Sequence, residues 1–251
     1  MIKSDDRREF LKNSLILSGM PIFSKIPTPT SSLESGENYT FLFQGDSITD
    51  GNRTRNNDWN HVMGHGFANN IASKLWYKFP EKKFHFFNRG ISGNKTTDLE
   101  KRWNEDTLSL KPDLLNILVG INETEMWLKG DTKYSVEFYE ESYRNLLKTT
   151  KNALPNIQFV LCEPFILPVG RVKDKLEIYT EDITKRQAVI KKLAIEFDAI
   201  YIPFQAIFNK ALERAEADYW IWDGIHPMPA GHELMALEWI KIVSKKVKFI
   251  R

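Results

Sequence analysis

The sequence predicts an α/β fold, a three-layer α/β/α sandwich around a five-stranded parallel sheet. Three observations predict it. Short β-rich runs alternate with longer segments of helical period, and parallel strands need crossover connections of that kind. The β-rich runs are nearly continuous in apolar residues, as strands covered on both faces should be. A chain of 251 residues, 42% hydrophobic and 27% charged, can bury one substantial core, and neither an internal repeat nor a low-complexity tract divides it.

In chain order, Thr40-Phe41-Leu42-Phe43 reads as the first strand and Phe84-His85-Phe86-Phe87 as the second. Leu114 to Val119, Ile157 to Cys162 and Ala199 to Ile202 follow as the third, fourth and fifth. Between them, apolar residues recur at helical spacing over about 64–78, 96–104, 135–153, 182–197 and 205–216. A last helix is expected at about 230–247, entered through Pro229. Ligands of such sheets bind beyond the carboxyl ends of the strands, so chemistry is sought just after each strand.

Composition excludes more than it selects. The 35 basic and 33 acidic residues leave a net charge of +2 mixed along the chain, with no electrostatic footprint for nucleic acid or an anionic membrane. Cys162 is the only cysteine, so there is neither an intrachain disulfide nor a cysteine cluster for zinc, and its apolar setting reads as a buried, inert thiol.

The N-terminus departs from the rest. Asp6-Arg7-Arg8-Glu9-Phe10-Leu11-Lys12, an apolar stretch from Ser14 to Phe23 and a Pro-, Ser- and Thr-rich run to Ser35 resemble a twin-arginine export signal. The stretch is too short to span a bilayer and no lipid-attachment cysteine follows it. Residues 1–36 are therefore expected to be signal and linker, 37–251 the globular domain, and the location periplasmic. No A-x-A cleavage site stands out, so an amphipathic tail with a chance Arg-Arg pair is the competing reading.

Four short blocks end strands or precede the last helix. After the first strand, Gly45-Asp46-Ser47 allows a tight turn that exposes a hydroxyl, although the tripeptide is also an ordinary turn and helix cap. Near the far end, Asp223-Gly224-Ile225-His226 can supply from one loop an imidazole base and the carboxylate that orients it, the pair a serine nucleophile needs. Asn88 to Asn94, containing Gly93, follows the second strand, and Gly120-Ile121-Asn122-Glu123 follows the third. Each offers neutral N–H donors for developing negative charge, and each singly could be a plain turn.

As an ordered set, Gly45-Asp46-Ser47, Gly93, Gly120-Ile121-Asn122 and Asp223-x-x-His226 resemble the four sequence blocks of the SGNH (GDSL-like) hydrolases, over about residues 39 to 245. The resemblance implies a flavodoxin-like arrangement of the sheet, Ser47 as nucleophile, His226 as base and Asp223 as its partner. It also implies an oxyanion hole from the N–H groups of Ser47 and Gly93 and the side chain of Asn122. Glu123 departs from the second acid usual in the third block, an aspartate. No cofactor or metal is implied. The expected activity is carboxylic ester hydrolysis through an acyl-enzyme, with acetylated carbohydrate as the preferred substrate class. A lysophospholipase or short-chain thioesterase would use the same residues, and a noncatalytic carbohydrate-binding protein on this scaffold is the reading from another class.

Asp46, Asp50 and Trp222 are expected to contact substrate, Asp50 in competition with a plain solvated loop and Trp222 by stacking on a sugar ring in competition with plain packing. Trp220 carries the same two readings. His61 and His65 have an i,i+4 spacing without the glutamate of a zinc helix and with a glycine between, so no metal site is expected there. His232 reads as a surface or capped residue, and Lys241, Lys245, Lys246 and Lys248 as the wet face and C-terminal charge of the last helix.

Overall fold

The structure, a computed structural model, describes residues 36–56 and 58–251. The expected export segment thus lies, apart from residue 36, outside the described residues. Five parallel strands form one sheet: β1 (Thr40–Gly45), β2 (His85–Asn88), β3 (Leu114–Leu118), β4 (Gln158–Cys162) and β5 (Ile200–Ile202). Their order is β2-β1-β3-β4-β5, with Phe41 level with both Phe86 and Leu114 and Leu118 level with Cys162. The chain reverses direction across the sheet between β2 and β3, which opens a crevice at the carboxyl ends of β1 and β3.

Strand alternation sorts the core into two layers. Phe41, Phe43, Leu114, Leu118, Val160 and Cys162 face one side with helices α2 (Phe67–Lys78), α8 (Phe204–Ala211) and α10 (Pro229–Val243). Leu42, Leu115, Ile117, Phe159 and Leu161 face the other, with α3 (Thr96–Asp106), α5 (Val136–Ala153) and the second half of α7 (Leu176–Glu196). Cys162 is buried, as expected, and its thiol donates to Asn116 Oδ1 at 3.2 Å.

Several boundaries differ from expectation, each for a local reason. The helix expected from residue 64 begins at Phe67, because Gly64 turns left-handed at φ +70°. His232 on α10 reaches across so that its Nδ1 accepts the Phe67 N–H at 3.1 Å, supplying the cap that Gly66 lacks. His232 is therefore half-buried rather than a surface residue. Helix α7 starts at Leu176, six residues early, since Tyr179, Asp182, Ile183 and Arg186 continue its buried face at helical spacing. The last helix stops at Val243, so of the four lysines only Lys241 lies in it, and Lys246 instead pairs with Asp198 at 2.8 Å. Helix α4 (Ile121–Leu128) stands where Gly120-Ile121-Asn122-Glu123 alone allowed a plain turn, because eight residues are too few to set a period. The short helices α1 (Ser47–Asp50), α6 (Gly170–Lys173) and α9 (Ala217–Trp220) also escape periodicity.

Candidate active site

The four blocks converge at the carboxyl end of the sheet. Ser47 is the first residue of α1, directly beyond β1, where its N–H has no intrahelical acceptor. Asp46 caps that turn through Oδ1, which accepts the Ile48 N–H at 3.0 Å. The Ser47 hydroxyl stands 2.8 Å from His226 Nε2, 179 positions away in sequence.

Opposite, His226 Nδ1 lies 2.8 Å from Asp223 Oδ2. An ionised carboxylate only accepts, so the shared proton sits on Nδ1, and Nε2 presents its lone pair to the serine. The other carboxylate oxygen, Oδ1, accepts the N–H groups of Ile225 at 3.0 Å and His226 at 2.7 Å. Burial pushes Asp223 up, but the hydrogen bond from the His226 ring, followed by the two backbone N–H groups, outweighs it and holds the carboxyl well below the ordinary range. Trp222 N–H donates to His226 O at 3.2 Å, closing the turn just before Pro227 and α10.

The loop after β4 supports this turn from behind. Arg171 N–H donates to Asp223 O at 3.1 Å and Leu167 N–H to Gly224 O at 3.0 Å. A Cβ at Gly170, which is left-handed at φ +51°, would come within 2.4 Å of Asp223 Cα, so only glycine permits the approach.

The donor side comes from two loops. Gly93 adopts φ +80°, and a Cβ there would meet nothing within 4 Å, so conformation rather than space calls for glycine. Among the described residues no backbone acceptor takes its N–H. Asn122, in the first turn of α4, donates through Nδ2 to Asn94 O at 3.1 Å, which ties its amide to the Gly93 loop. The departing residue Glu123 is buried, and its Oε1 accepts the Thr96 N–H at 2.7 Å at the start of α3. The retained carboxylate therefore fastens the helix after the Gly93 loop to the helix that carries Asn122.

Ser47, Gly93, Asn122 and His226 line one cleft of about 190 Å³, with Lys95, Glu125, Lys129 and Arg171 around them. Arg171 went unnoticed in the sequence because no strand-end block marks the β4 loop; Gly170 before it was the available signal. A hydroxyl, a lone-pair base and neutral N–H donors around a small opening are a set that can add a serine oxygen to an acyl carbon.

None of the three residues expected to contact substrate lines the cleft. Asp46 is only 1% exposed, consumed by capping α1. Asp50 is buried as well: Arg55 grips both its oxygens, at 3.1 and 2.6 Å, and its Oδ2 accepts the Ser92 N–H at 3.0 Å, so it holds the loop before Gly93. Trp222 is 61% exposed, its ring stacked near His226 with centroids 6.2 Å apart, whereas Trp220 is buried and donates to Ala215 O. His61 bonds Asp58 at 2.6 Å from a turn, not a helix.

The GDSL-like Lipase/Acylhydrolase family profile matches residues 43–234. An acetylxylan esterase of Geobacillus stearothermophilus is 31% identical over 220 residues, 84% of this chain and 97% of the relative. The solved structure of that esterase, Axe2, superposes with a TM-score of 0.73 at 30% identity, covering 84% of this chain and 96% of the other. A GDSL-like protein of Parabacteroides merdae superposes with a TM-score of 0.79 at 39% identity, covering 83% and 96%. Catalytic mutants of Axe2 replace a serine, an aspartate and a histidine, the last two three positions apart, as Asp223 and His226 are here. With its sheet order, its ordered blocks and these likenesses, the chain belongs to the GDSL-like lipase/acylhydrolase family and is a carboxylic ester hydrolase.

Proposed function

We propose that the protein is a serine esterase that removes acetyl groups from carbohydrates, with Ser47, His226 and Asp223 as its catalytic residues. The observation that carries this reading is the continuous contact from Ser47 Oγ to His226 Nε2 and from His226 Nδ1 to Asp223 Oδ2, each 2.8 Å. Ser47 Oγ attacks the ester carbon while its proton passes to Nε2, and Asp223 stabilises the imidazolium. The N–H groups of Ser47 and Gly93 and the amide of Asn122 receive the oxyanion. His226 then protonates the departing alcohol oxygen, leaving an acyl-serine, and a water molecule repeats the attack to release acetate.

The small cleft, with charged side chains rather than an apolar groove at its rim, favours a short acyl group over the long chain of a lysophospholipid. Trp222 beside His226 offers an exposed aromatic face to a sugar ring. The likeness to acetylxylan esterase points the same way. Turnover of p-nitrophenyl acetate, butyrate and octanoate, with acetylated xylan as a second panel, tests the class. Acetate preferred and acetate released from xylan is the expected outcome; preference for octanoate would overturn it.

The Arg7-Arg8 pair and the apolar stretch behind it support the further reading that residues 1–36 are a twin-arginine-like signal, residues 37–251 the hydrolase domain, and the enzyme periplasmic. Among the described residues no helix is long and apolar enough to cross a membrane. Replacing Arg7 and Arg8 by lysines should trap full-length protein in the cytoplasm; unchanged periplasmic recovery would refute the signal.

A further inference from the structure

A second concavity, of about 360 Å³, is lined by Arg53, Arg55, Trp59, Phe86 and Arg89 among others. Its charge is unbalanced. Four guanidinium groups, Arg53, Arg55, Arg89 and Arg102, share two carboxylates, those of Asp50 and Asp106. Arg55 is spent on Asp50, and Arg102 on Asp106 at 2.8 Å. Among the described residues the Arg53 side chain donates only to carbonyl oxygens, those of Gly90 and Thr54. Burial, and after it the charge of Arg55, brings Arg53 down to about 10.

Arg89 is the telling residue. Its side chain is 33% exposed and its buried Nε faces Asp106 Oδ1 at 3.5 Å, while among the described residues its two Nη groups have no hydrogen-bond partner. A partly desolvated guanidinium with unspent donors is a fork that suits a carboxylate. Facing the same space, Trp59 is 74% exposed, a large aromatic surface left in water. An anion on a ring with an apolar face would satisfy both groups at once.

The cavity and the cleft are tied through one loop. Arg53 Nε holds Gly90 O at 2.9 Å, and Asp50, gripped by Arg55, holds the Ser92 N–H next to Gly93. The residues that line the second concavity thus brace the loop that carries Gly93.

We propose that the cavity between Trp59 and Arg89 is a subsite for a carboxylate-bearing sugar, a uronate unit of the glycan deacetylated at Ser47. The substrate would then be an acidic acetylated polysaccharide; the inference rests on the carbohydrate-esterase reading and sharpens it. Arg89 donates to the carboxylate while Trp59 packs on the ring, and neither touches the reacting ester.

The test is calorimetric binding of xylotriose bearing one glucuronate branch, against neutral xylotetraose, to full-length Ser47→Ala protein, which cannot turn substrate over. The acidic oligosaccharide should bind roughly tenfold or more tightly, the weight of one charge-assisted hydrogen bond, and the preference should weaken with salt. Adding Arg89→Gln should erase the preference, and Trp59→Ala should weaken both ligands. In the enzyme with Ser47 intact, either substitution should leave p-nitrophenyl acetate turnover unchanged, which also reports a sound fold. Equal binding of the two oligosaccharides, or a preference that survives Arg89→Gln, overturns the proposal. Failure of the esterase reading is distinct: it would appear as no ester turnover at all, and the binding preference would still decide the subsite.

Discussion

Arg171 places Nη2 2.9 Å from Asp223 Oδ2, the same carboxylate oxygen that stands 2.8 Å from His226 Nδ1. The histidine and the arginine thus share one oxygen, while the two backbone N–H groups occupy the other. With every face of the carboxylate engaged, its orientation does not depend on any single partner.

That redundancy predicts a graded response. Arg171→Ala removes one of four partners and should lower kcat on p-nitrophenyl acetate by about tenfold or less. Asp223→Ala removes the group that fixes the histidine tautomer and should cost on the order of 10³–10⁴-fold. Steady-state kinetics of the two variants side by side check this. Equal losses would mean that Arg171 orients the histidine as strongly as Asp223.

On the proposed role of Asn122 as an oxyanion donor, Asn122→Ala should lower kcat by about 10²–10³-fold with little change in KM, because such a donor acts on charge present only in the transition state. An effect confined to KM would assign Asn122 to ground-state binding instead.

Burial is the main cause that pushes Asp46 up to about 7, with the Ile48 N–H opposing it and the buried Glu123 adding to it. A carboxyl raised in the folded state binds its proton more tightly than in the unfolded chain, so folding loses stability as pH rises from about 4 to about 7. Asp46→Asn keeps a capping oxygen and cannot ionise. Relative to the parent, it should gain up to about 4 kcal/mol across that window by urea denaturation at pH 4.5 and 8. A constant difference between the two proteins would refute the buried, protonated carboxyl.

His232 is the opposite case: burial first, then the charges of His65 and His226, bring it down to about 4. Folding requires the neutral ring, so its contribution is complete above the unfolded value near 6.5 and is lost as pH falls towards 4. His232→Ala should cost about 1–2 kcal/mol at pH 7 through loss of the Phe67 cap, and flatten the decline between pH 6.5 and 4. An unchanged acid limb in thermal melts would contradict it.

The five strands were legible because nearly continuous apolar runs are a local signal, and Ser47, Gly93, Asn122, Asp223 and His226 were expected together through the family resemblance that their ordered blocks carry. The fate of Asp46 and Asp50 was not. Both stand close to Ser47 in sequence, yet one caps α1 and the other pairs with Arg55, partners that only the folded loop reveals. Helix α4 was hidden for a related reason, since eight residues carry too little periodicity. Arg171 was invisible as a cleft residue because a lone arginine in a loop has no pattern until its neighbours are placed.

The central claim is that Ser47, activated by His226, forms the acyl-enzyme. Its most direct test is p-nitrophenyl acetate turnover by Ser47→Ala beside the parent protein, with circular dichroism confirming equal folding. A loss on the order of 10⁵–10⁶-fold in a folded variant is the predicted result. Turnover within tenfold of the parent would contradict the account.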